Sequence, residues 1–295
     1  MANLKEVRNR IASVQSTQQI TKAMKMVSAA KLKRATNAII ALRPYATKLK
    51  EILGNLSASL EGSSSPFIQE REPNKVLIVT VSSNRGLAGA FNMNVIKAAN
   101  NLIAEKYAEQ LKNGNVSIIS IGKKTQDFYE KRKYNIIGNN NEVYADLTFE
   151  NVTKITDTIM AGFIKGEFDK VEVVYNQFKN AAVQIITSEQ LLPLAKTEDP
   201  VVTNAKTTNV DYILEPSQEE IVSELIPKSI KIQLYKAVLD SHASEHGARM
   251  TSMDKATENA GELLKALKLS YNQARQAAIT TELTEIVSGA AALNG

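Results

Sequence analysis

The chain has 295 residues, 43% hydrophobic and 23% charged, a composition typical of a folded protein of one or two domains. It contains no cysteine, which excludes disulfide bonds, thiolate metal sites and a cysteine nucleophile. The net charge of +5 is unevenly distributed, because the first 50 residues carry eleven Lys or Arg and one acid, Glu6. A segment this basic predicts an acidic partner, which could be protein, nucleic acid or lipid head groups.

The N-terminal region does not resemble a signal peptide, because Lys5, Arg8 and Arg10 interrupt any apolar core. No apolar run approaches the ~18–20 residues that a membrane span requires. We therefore expect no direct membrane span.

Residues 3–60 are predicted to form a first long helix. Its apolar residues recur in steps of three and four from Leu4 to Val14, and again from Ala35 to Leu56. Side chains with this spacing line one helix face and call for a helical partner. Pro44 lies inside this segment and is expected to kink the helix or split it in two.

Strands alternate with helices in the middle of the chain. Short β-branched runs predict strands, and amphipathic segments predict helices. The predicted strands are 75–81, 116–121, 134–137, 171–178 and 182–187, and the predicted helices are 91–112, 124–133 and 149–165. The last two strands are close enough to form a hairpin. This order predicts an open α/β sheet with a parallel core and an antiparallel edge.

A second long helix is predicted near the C-terminus. Ser217–Glu220 has capping-box spacing and opens a short helix that Pro227 is expected to close or kink. From there to residue 290 no proline occurs, which allows about 60 residues of helix and about 90 Å of length. Apolar stripes at both ends of this helix predict an antiparallel pair with the first helix, with Leu4–Val14 against its later part. The later stripe continues through Ile279, Leu283, Ile286, Ala290 and Leu293.

Three motifs suggest chemistry. His242, Glu245 and His246 match the H-x-x-E-H pattern of inverted zinc metallopeptidases, but no third ligand lies within reach, so a solvated helical stretch is the favoured interpretation. The turn 84–92 follows a strand and precedes a helix, where α/β folds often bind phosphate, yet it lacks the spacing of a P-loop or dinucleotide motif. The basic first helix could bind nucleic acid, although no aromatic residues interleave with its cations. The alternatives are therefore a metal-dependent hydrolase and a nucleic-acid-binding coiled-coil protein.

Three segments together resemble the γ subunit of F-type ATP synthases. They are Arg10–Val27 with Ala29–Leu32, Ser244–Thr257 running on to Asn259, and Tyr271–Ala292. The turn Ser83–Asn92 is also similar to the family's central motif. The resemblance spans the chain in order, and it makes the zinc-like motif part of a rotor helix.

The resemblance implies a fold of α/β plus coiled coil. Two long terminal helices would form an antiparallel coiled coil, with a central Rossmann-like α/β domain. The implied boundaries are 1–62 for the N-terminal helix, 75–195 for the α/β domain, 196–216 for a surface loop and foot, and 217–295 for the C-terminal helical region.

The resemblance also implies the function of a central rotor shaft. The chain would couple proton-driven rotation of the c-ring to ATP synthesis by the α and β subunits, next to the ε subunit. It would be non-catalytic by itself, with no catalytic, cofactor or metal residues and no nucleic-acid partner. Its place would be the cytoplasmic face of a bacterial inner membrane, as a peripheral part of the complex.

Two groups of contact residues follow from the resemblance. One group would meet the catalytic hexamer: Met24, Arg249, Gln276, Thr280, Glu285, Ile286 and Val287. The other group would meet the c-ring: Tyr212, Leu214 and Glu215.

Overall fold

A computed structural model describes residues 4–57, 65–194 and 218–293. The helices are α1 (Leu4–Ser57), α2 (Phe91–Lys106), α3 (Ala108–Lys112), α4 (Lys123–Lys131), α5 (Phe149–Ile164) and α6 (Gln218–Leu293). The strands are β1 (Val76–Val81), β2 (Val116–Ile121), β3 (Asn135–Ile136), β4 (Lys170–Phe178) and β5 (Gln184–Leu192). A short 3-10 helix covers Asn141–Tyr144. Among the described residues, none of the helices combines the length and apolarity needed to cross a membrane.

Both prolines expected to interrupt the long helices lie inside continuous helices. Pro44 is within the 54 residues of α1, and Pro227 is within the 76 residues of α6. The prediction of a separate short helix before Pro227 is therefore wrong. A proline removes one backbone donor, and a helix continues past it where flanking residues are held by packing. Ile226 and Ile230 on either side of Pro227 are buried in the core and supply that packing.

The single helix predicted over 91–112 is divided at Tyr107. This residue leaves the helical conformation, with φ −131° and ψ 29°, and its ring is buried. Its hydroxyl donates a hydrogen bond to Glu172, a carboxylate buried in β4. Because a buried carboxylate needs such a donor, a contact distant in sequence overrides local helix propensity here.

The five strands form one sheet in the order β3-β2-β1-β4-β5. The pairs β1–β2, β1–β4 and β2–β3 are parallel, and β4–β5 is antiparallel. The parallel core, the antiparallel edge and the hairpin are thus confirmed. β1 lies in the centre and all six of its residues are buried, as expected for a strand covered on both faces.

Two apolar clusters cover the two faces of the sheet. On one face, Leu77 and Val79 of β1 pack with α5 and with the first part of α6. On the other face, Val76 and Ile78 pack with α2. The α6 residues in the first cluster are Ile226, Ile230, Leu234, Ala237 and Val238. The apolar start of α6, predicted to pair with α1, belongs largely to the core of the sheet.

The chain divides into two compact units. One unit comprises Met1–Ala29 and Arg249–Gly295, and the other comprises Ala30–Ala248. In the second unit, hereafter the α/β unit, Ala35 and Ile39 of α1 pack against Leu239 and Ala243 of α6. Both long helices contribute residues to each unit.

The first unit, hereafter the helix-pair unit, joins the start of α1 to the later part of α6. Arg8 Nη2 donates to the Tyr271 hydroxyl at 2.9 Å, and Lys25 Nζ forms an ion pair with Asp254 at 2.5 Å. The partner in α6 moves toward the N-terminus as the residue in α1 moves toward the C-terminus, so the helices are antiparallel. The predicted pairing of Leu4–Val14 with the later part of α6 is confirmed.

Candidate functional site

The ligand crevice expected of this sheet lies where the strand order reverses. In open α/β sheets ligands bind beyond the carboxyl ends of the strands at that point, which here lies between β1 and β4. Residues of α6 lie against both strand ends. Ser241 Oγ donates to the Val81 carbonyl oxygen at 3.3 Å, and Ser244 Oγ donates to the Asn176 carbonyl oxygen at 3.0 Å. The protein's own helix therefore fills the position that a nucleotide takes in related architectures.

The turn after β1 is braced by its own polar groups. The Ser83 amide donates to Asn92 Oδ1 at 2.9 Å, and Ser82 Oγ lies 2.8 Å from Thr125 Oγ1. Asn84 connects the turn to two other segments, because its Nδ2 donates to the Asn141 carbonyl oxygen and its Oδ1 accepts from the Lys123 amide. These bonds use the polar groups to hold the turn in place.

Gly122 marks the point of closest approach beneath this turn. Its φ is +115°, and a Cβ built on it would lie 2.3 Å from the Ser82 carbonyl oxygen. Only glycine fits this backbone contact. The end of β2 is thereby packed directly onto the end of β1.

The two histidines of the zinc-like motif are not solvated, so that part of the sequence interpretation is wrong. His246 is buried and His242 is half-buried. The His242 ring stacks on Tyr144 at a centroid distance of 5.6 Å and meets the His246 ring edge-on at 4.5 Å. Burial raises the pKa of Tyr144 well above its usual range, and the negative charge of Glu245 adds to this shift.

The parts of the chain described by the structure contain no group of three His, Cys, Asp or Glu side chains placed to hold a metal ion. His242 instead packs on Tyr144, and His246 packs on His242, which gives both a structural role in the α/β unit.

The last part of α6 is the most exposed segment of the helix-pair unit. Every side chain described between 279 and 292 is exposed, including four large apolar ones: Ile279 at 47%, Leu283 at 57%, Ile286 at 68% and Val287 at 66%. The prediction that α1 covers this stripe is wrong. Arg8 pairs with Tyr271, and the described part of α1 extends about one helical turn beyond this pair, to Leu4, so it does not cover this stripe.

Most of the residues predicted to meet a catalytic hexamer lie on this exposed end. The exposed members are Gln276, Thr280, Glu285, Ile286 and Val287. Met24 is half-buried on α1, next to the Lys25–Asp254 ion pair. Arg249 differs from the rest because it is buried, so any role in coupling would act through the residues that cover it. Tyr212, Leu214 and Glu215 lie outside the described residues.

Sequence reasoning missed two features. Three large apolar side chains of α1, Ile20, Met26 and Val27, are 56–68% exposed, and their departure from the heptad stripe was the available signal. The second feature is the burial of the small residues of α6 between Ser241 and Ala248, most of which are buried within the α/β unit. Small size here permits close packing between the helix and the sheet.

Comparisons with known proteins agree along the whole chain. A family model described as ATP synthase matches residues 3–293. The chain is 56% identical over 295 residues to the ATP synthase gamma chain of Cytophaga hutchinsonii, with 100% of both chains covered. It is 58% identical over 296 residues to that of Flavobacterium johnsoniae, again with 100% of both covered. A solved structure of the central stalk and c-ring of Tetrahymena thermophila mitochondrial ATP synthase contains a similar chain, with a TM-score of 0.58, 25% identity, and coverage of 80% of this chain and 99% of that one.

Proposed function

The chain belongs to the ATP synthase gamma chain family, and from this premise we propose that it is the rotating central shaft of a bacterial ATP synthase. Its partners in this role are the α and β subunits of the catalytic hexamer, the ε subunit and the c-ring. Rotation of the ring turns the shaft, and the shaft changes the state of each catalytic subunit in turn.

The observation that carries this proposal is the uncovered apolar end of α6. Four large apolar side chains within nine residues are 47–68% exposed. A cluster of this kind usually marks an interaction site, and burying one such side chain contributes about 1.5–3 kcal/mol. A hexamer that encloses the end of the helix would cover this apolar stripe.

The charge distribution supports the same arrangement. The first 50 residues are strongly basic, and all of those that the structure describes lie on α1. Lys22 is exposed on this helix beside the half-buried Met24. Acidic surfaces of the surrounding subunits would attract this face without holding it in a single orientation, because long-range charge attraction is weakly directional.

The non-catalytic character of the chain is supported by the filled crevice of its sheet. Ser241 and Ser244 of α6 bond to the strand ends where a nucleotide would otherwise sit. The nucleotide chemistry then belongs to the surrounding hexamer, and this chain transmits movement to it.

The proposed contacts are those implied by the sequence. Met24, Arg249 and the exposed end of α6 act in coupling to the hexamer, and Tyr212, Leu214 and Glu215 act at the c-ring. The complex works at the cytoplasmic face of the bacterial inner membrane, with this chain as a peripheral part. The bacterial origin of relatives such as those from Cytophaga hutchinsonii and Flavobacterium johnsoniae supports this location.

The test compares two substitutions of exposed apolar residues on α6. Ile286 is 68% exposed on the uncovered end, and Leu269 is 61% exposed on the part of the helix that pairs with α1. Each is changed to Ser in the complete ATP synthase reconstituted in vesicles, and ATP hydrolysis and proton pumping are measured in the same preparation.

Ile286→Ser should lower the number of protons pumped per ATP hydrolysed by at least about twofold, because it removes apolar burial against the hexamer. Leu269→Ser should leave this ratio at the wild-type value. Equal effects of the two changes would contradict the assignment of the exposed end to the coupling interface. A vesicle preparation that pumps protons normally without this chain would refute the shaft function itself.

A further inference from the structure

Within the α/β unit, a short segment of α6 contacts the sheet at the carboxyl ends of the strands, beyond the apolar residues that pack in the core. We name four residues of this segment the joint: Ser241, Ser244, Gly247 and Ala248. Ser241 donates a hydrogen bond to the end of β1, and Ser244 donates one to β4. Gly247 packs against the turn between β4 and β5, and Ala248 packs with Ala88 and Phe91. The joint therefore contacts four separate parts of the α/β unit.

The two serine hydroxyls of the joint bond in an unusual direction for a helix. Helical Ser and Thr side chains commonly bond back to a carbonyl oxygen one turn earlier, as Thr280 and Thr284 of the same helix do at 2.9 and 2.8 Å. Ser241 and Ser244 instead donate across to carbonyl oxygens of the sheet, and both are fully buried. These bonds join the helix to the sheet.

Hydrogen bonds of this kind fix both the rotation and the axial position of a helix. A slip of one residue moves helical side chains by about 1.5 Å along the axis and turns them by about 100°. Such a slip would take both hydroxyls away from their acceptors and leave buried polar groups unsatisfied. A purely apolar contact resists sliding much less, because dispersion contacts are weakly directional.

Gly247 makes the joint rigid through close backbone contact. A Cβ built on Gly247 would lie 3.1 Å from the carbonyl oxygen of Ala181 and 3.2 Å from its Cα. The turn that carries Ala181 is held by Asn180 Oδ1, which accepts from the amides of Ala182 and Val183 at 3.0 and 2.7 Å. Backbone stiffened in this way cannot easily move aside.

We propose that Ser241, Ser244 and Gly247 are positioning residues that lock α6 to the sheet of the α/β unit, so that torque passes between the helix and the sheet without slip. The proposal rests on the shaft function proposed above, in which load is applied to both parts of the chain. These residues do not touch a substrate, and they act by holding α6 in one register.

The first test is the Ser241→Ala/Ser244→Ala double variant in the complete ATP synthase in vesicles. Loss of one hydrogen bond weakens such an attachment by roughly fivefold, so the joint should yield when load rises. We expect ATP hydrolysis close to wild type, but a pumping-to-hydrolysis ratio at least about twofold lower as the proton gradient builds up. A merely structural role would lower assembly and hydrolysis together and would leave the ratio unchanged.

Gly247→Ala is tested beside Gly261→Ala, a matched change in the same helix. A Cβ at 261 would meet only the side-chain end of Gln18, at 3.0 Å, which can move away. We expect Gly247→Ala to lower the ratio and Gly261→Ala to preserve it. Equal ratios for these two variants would overturn the role of Gly247.

Two results overturn the joint while leaving the shaft function standing. They are a wild-type ratio in the double serine variant under full load, and equal ratios for Gly247→Ala and Gly261→Ala. If wild-type vesicles contained an active complex that lacked this chain, the shaft function would fail, and the torque-bearing joint would fail with it.

Discussion

The buried carboxyl group of Asp240 should make the stability of the α/β unit depend on pH. Asp240 is on α6, next to the joint, and is 3% exposed. Burial raises the pKa of this carboxyl from 3.8 to about 6, and the negative charge of Glu189 on β5 also raises it. Lys236 on the same helix and Arg43 on α1 lower the pKa, but they do not cancel the effect of burial.

The sign of the dependence follows from proton binding. Because the pKa is higher in the folded state than in the unfolded state, the folded chain binds this proton more tightly. The contribution of this proton to the free energy of unfolding is fully present below about pH 4 and is lost as the pH rises through about 6. A pKa difference of about 2 corresponds to at most about 3 kcal/mol in the free energy of unfolding.

The Asp240→Asn variant has no proton to lose at this position and should escape the loss. The free energy of unfolding of the variant minus that of the wild type should be greater at pH 8 than at pH 4, by up to about 3 kcal/mol. The measurement is urea unfolding of the isolated chain at pH 4, 6 and 8, with the exposed Asp146 changed to Asn as the control. A difference between Asp240→Asn and wild type that stays constant from pH 4 to pH 8 would refute this reasoning.

Three further predictions concern the turn, the crevice and the shaft. Gly122→Ala should lower the free energy of unfolding in urea by more than about 3 kcal/mol, because its Cβ would lie 2.3 Å from a backbone oxygen. Gly166→Ala, whose Cβ would have nothing within 4 Å, should lower it by about 1 kcal/mol. Equal losses for the two variants would count against the contact at Gly122. The isolated chain should show no micromolar binding of ATP in calorimetry, and binding abolished by a change at Gly89 would contradict the filled crevice. Met24→Lys adds a cation near Lys22 and Lys25, and should form a new charge-assisted contact with the hexamer of about 1.5–3 kcal/mol. This contact should impede rotation and lower proton pumping more than ATP hydrolysis. An unchanged ratio of pumping to hydrolysis in the same vesicles would show that Met24 is not at the interface.

Several features of this protein were determined by the sequence alone. Apolar spacing of three and four residues predicted the two long helices and their antiparallel pairing, and the Arg8–Tyr271 and Lys25–Asp254 contacts together confirm it. Short β-branched runs predicted β1 and β2, whose observed bounds are Val76–Val81 and Val116–Ile121. These features could be predicted because helix and strand periodicities are local, and each needs only a neighbouring surface of matching polarity.

Other features were decided only by the tertiary structure. The break at Tyr107 depends on Glu172, which is 65 residues away along the chain. The joint depends on Ser241 reaching a strand end 160 residues earlier, so its small residues gave no recognisable pattern in the sequence. The end of α6 is exposed beyond the described part of α1, and an apolar stripe alone does not show whether it is covered by the same chain or by another. Periodicity identifies which face of a helix is apolar, but the partner of a buried polar group or an apolar face is set by contacts between residues far apart in sequence.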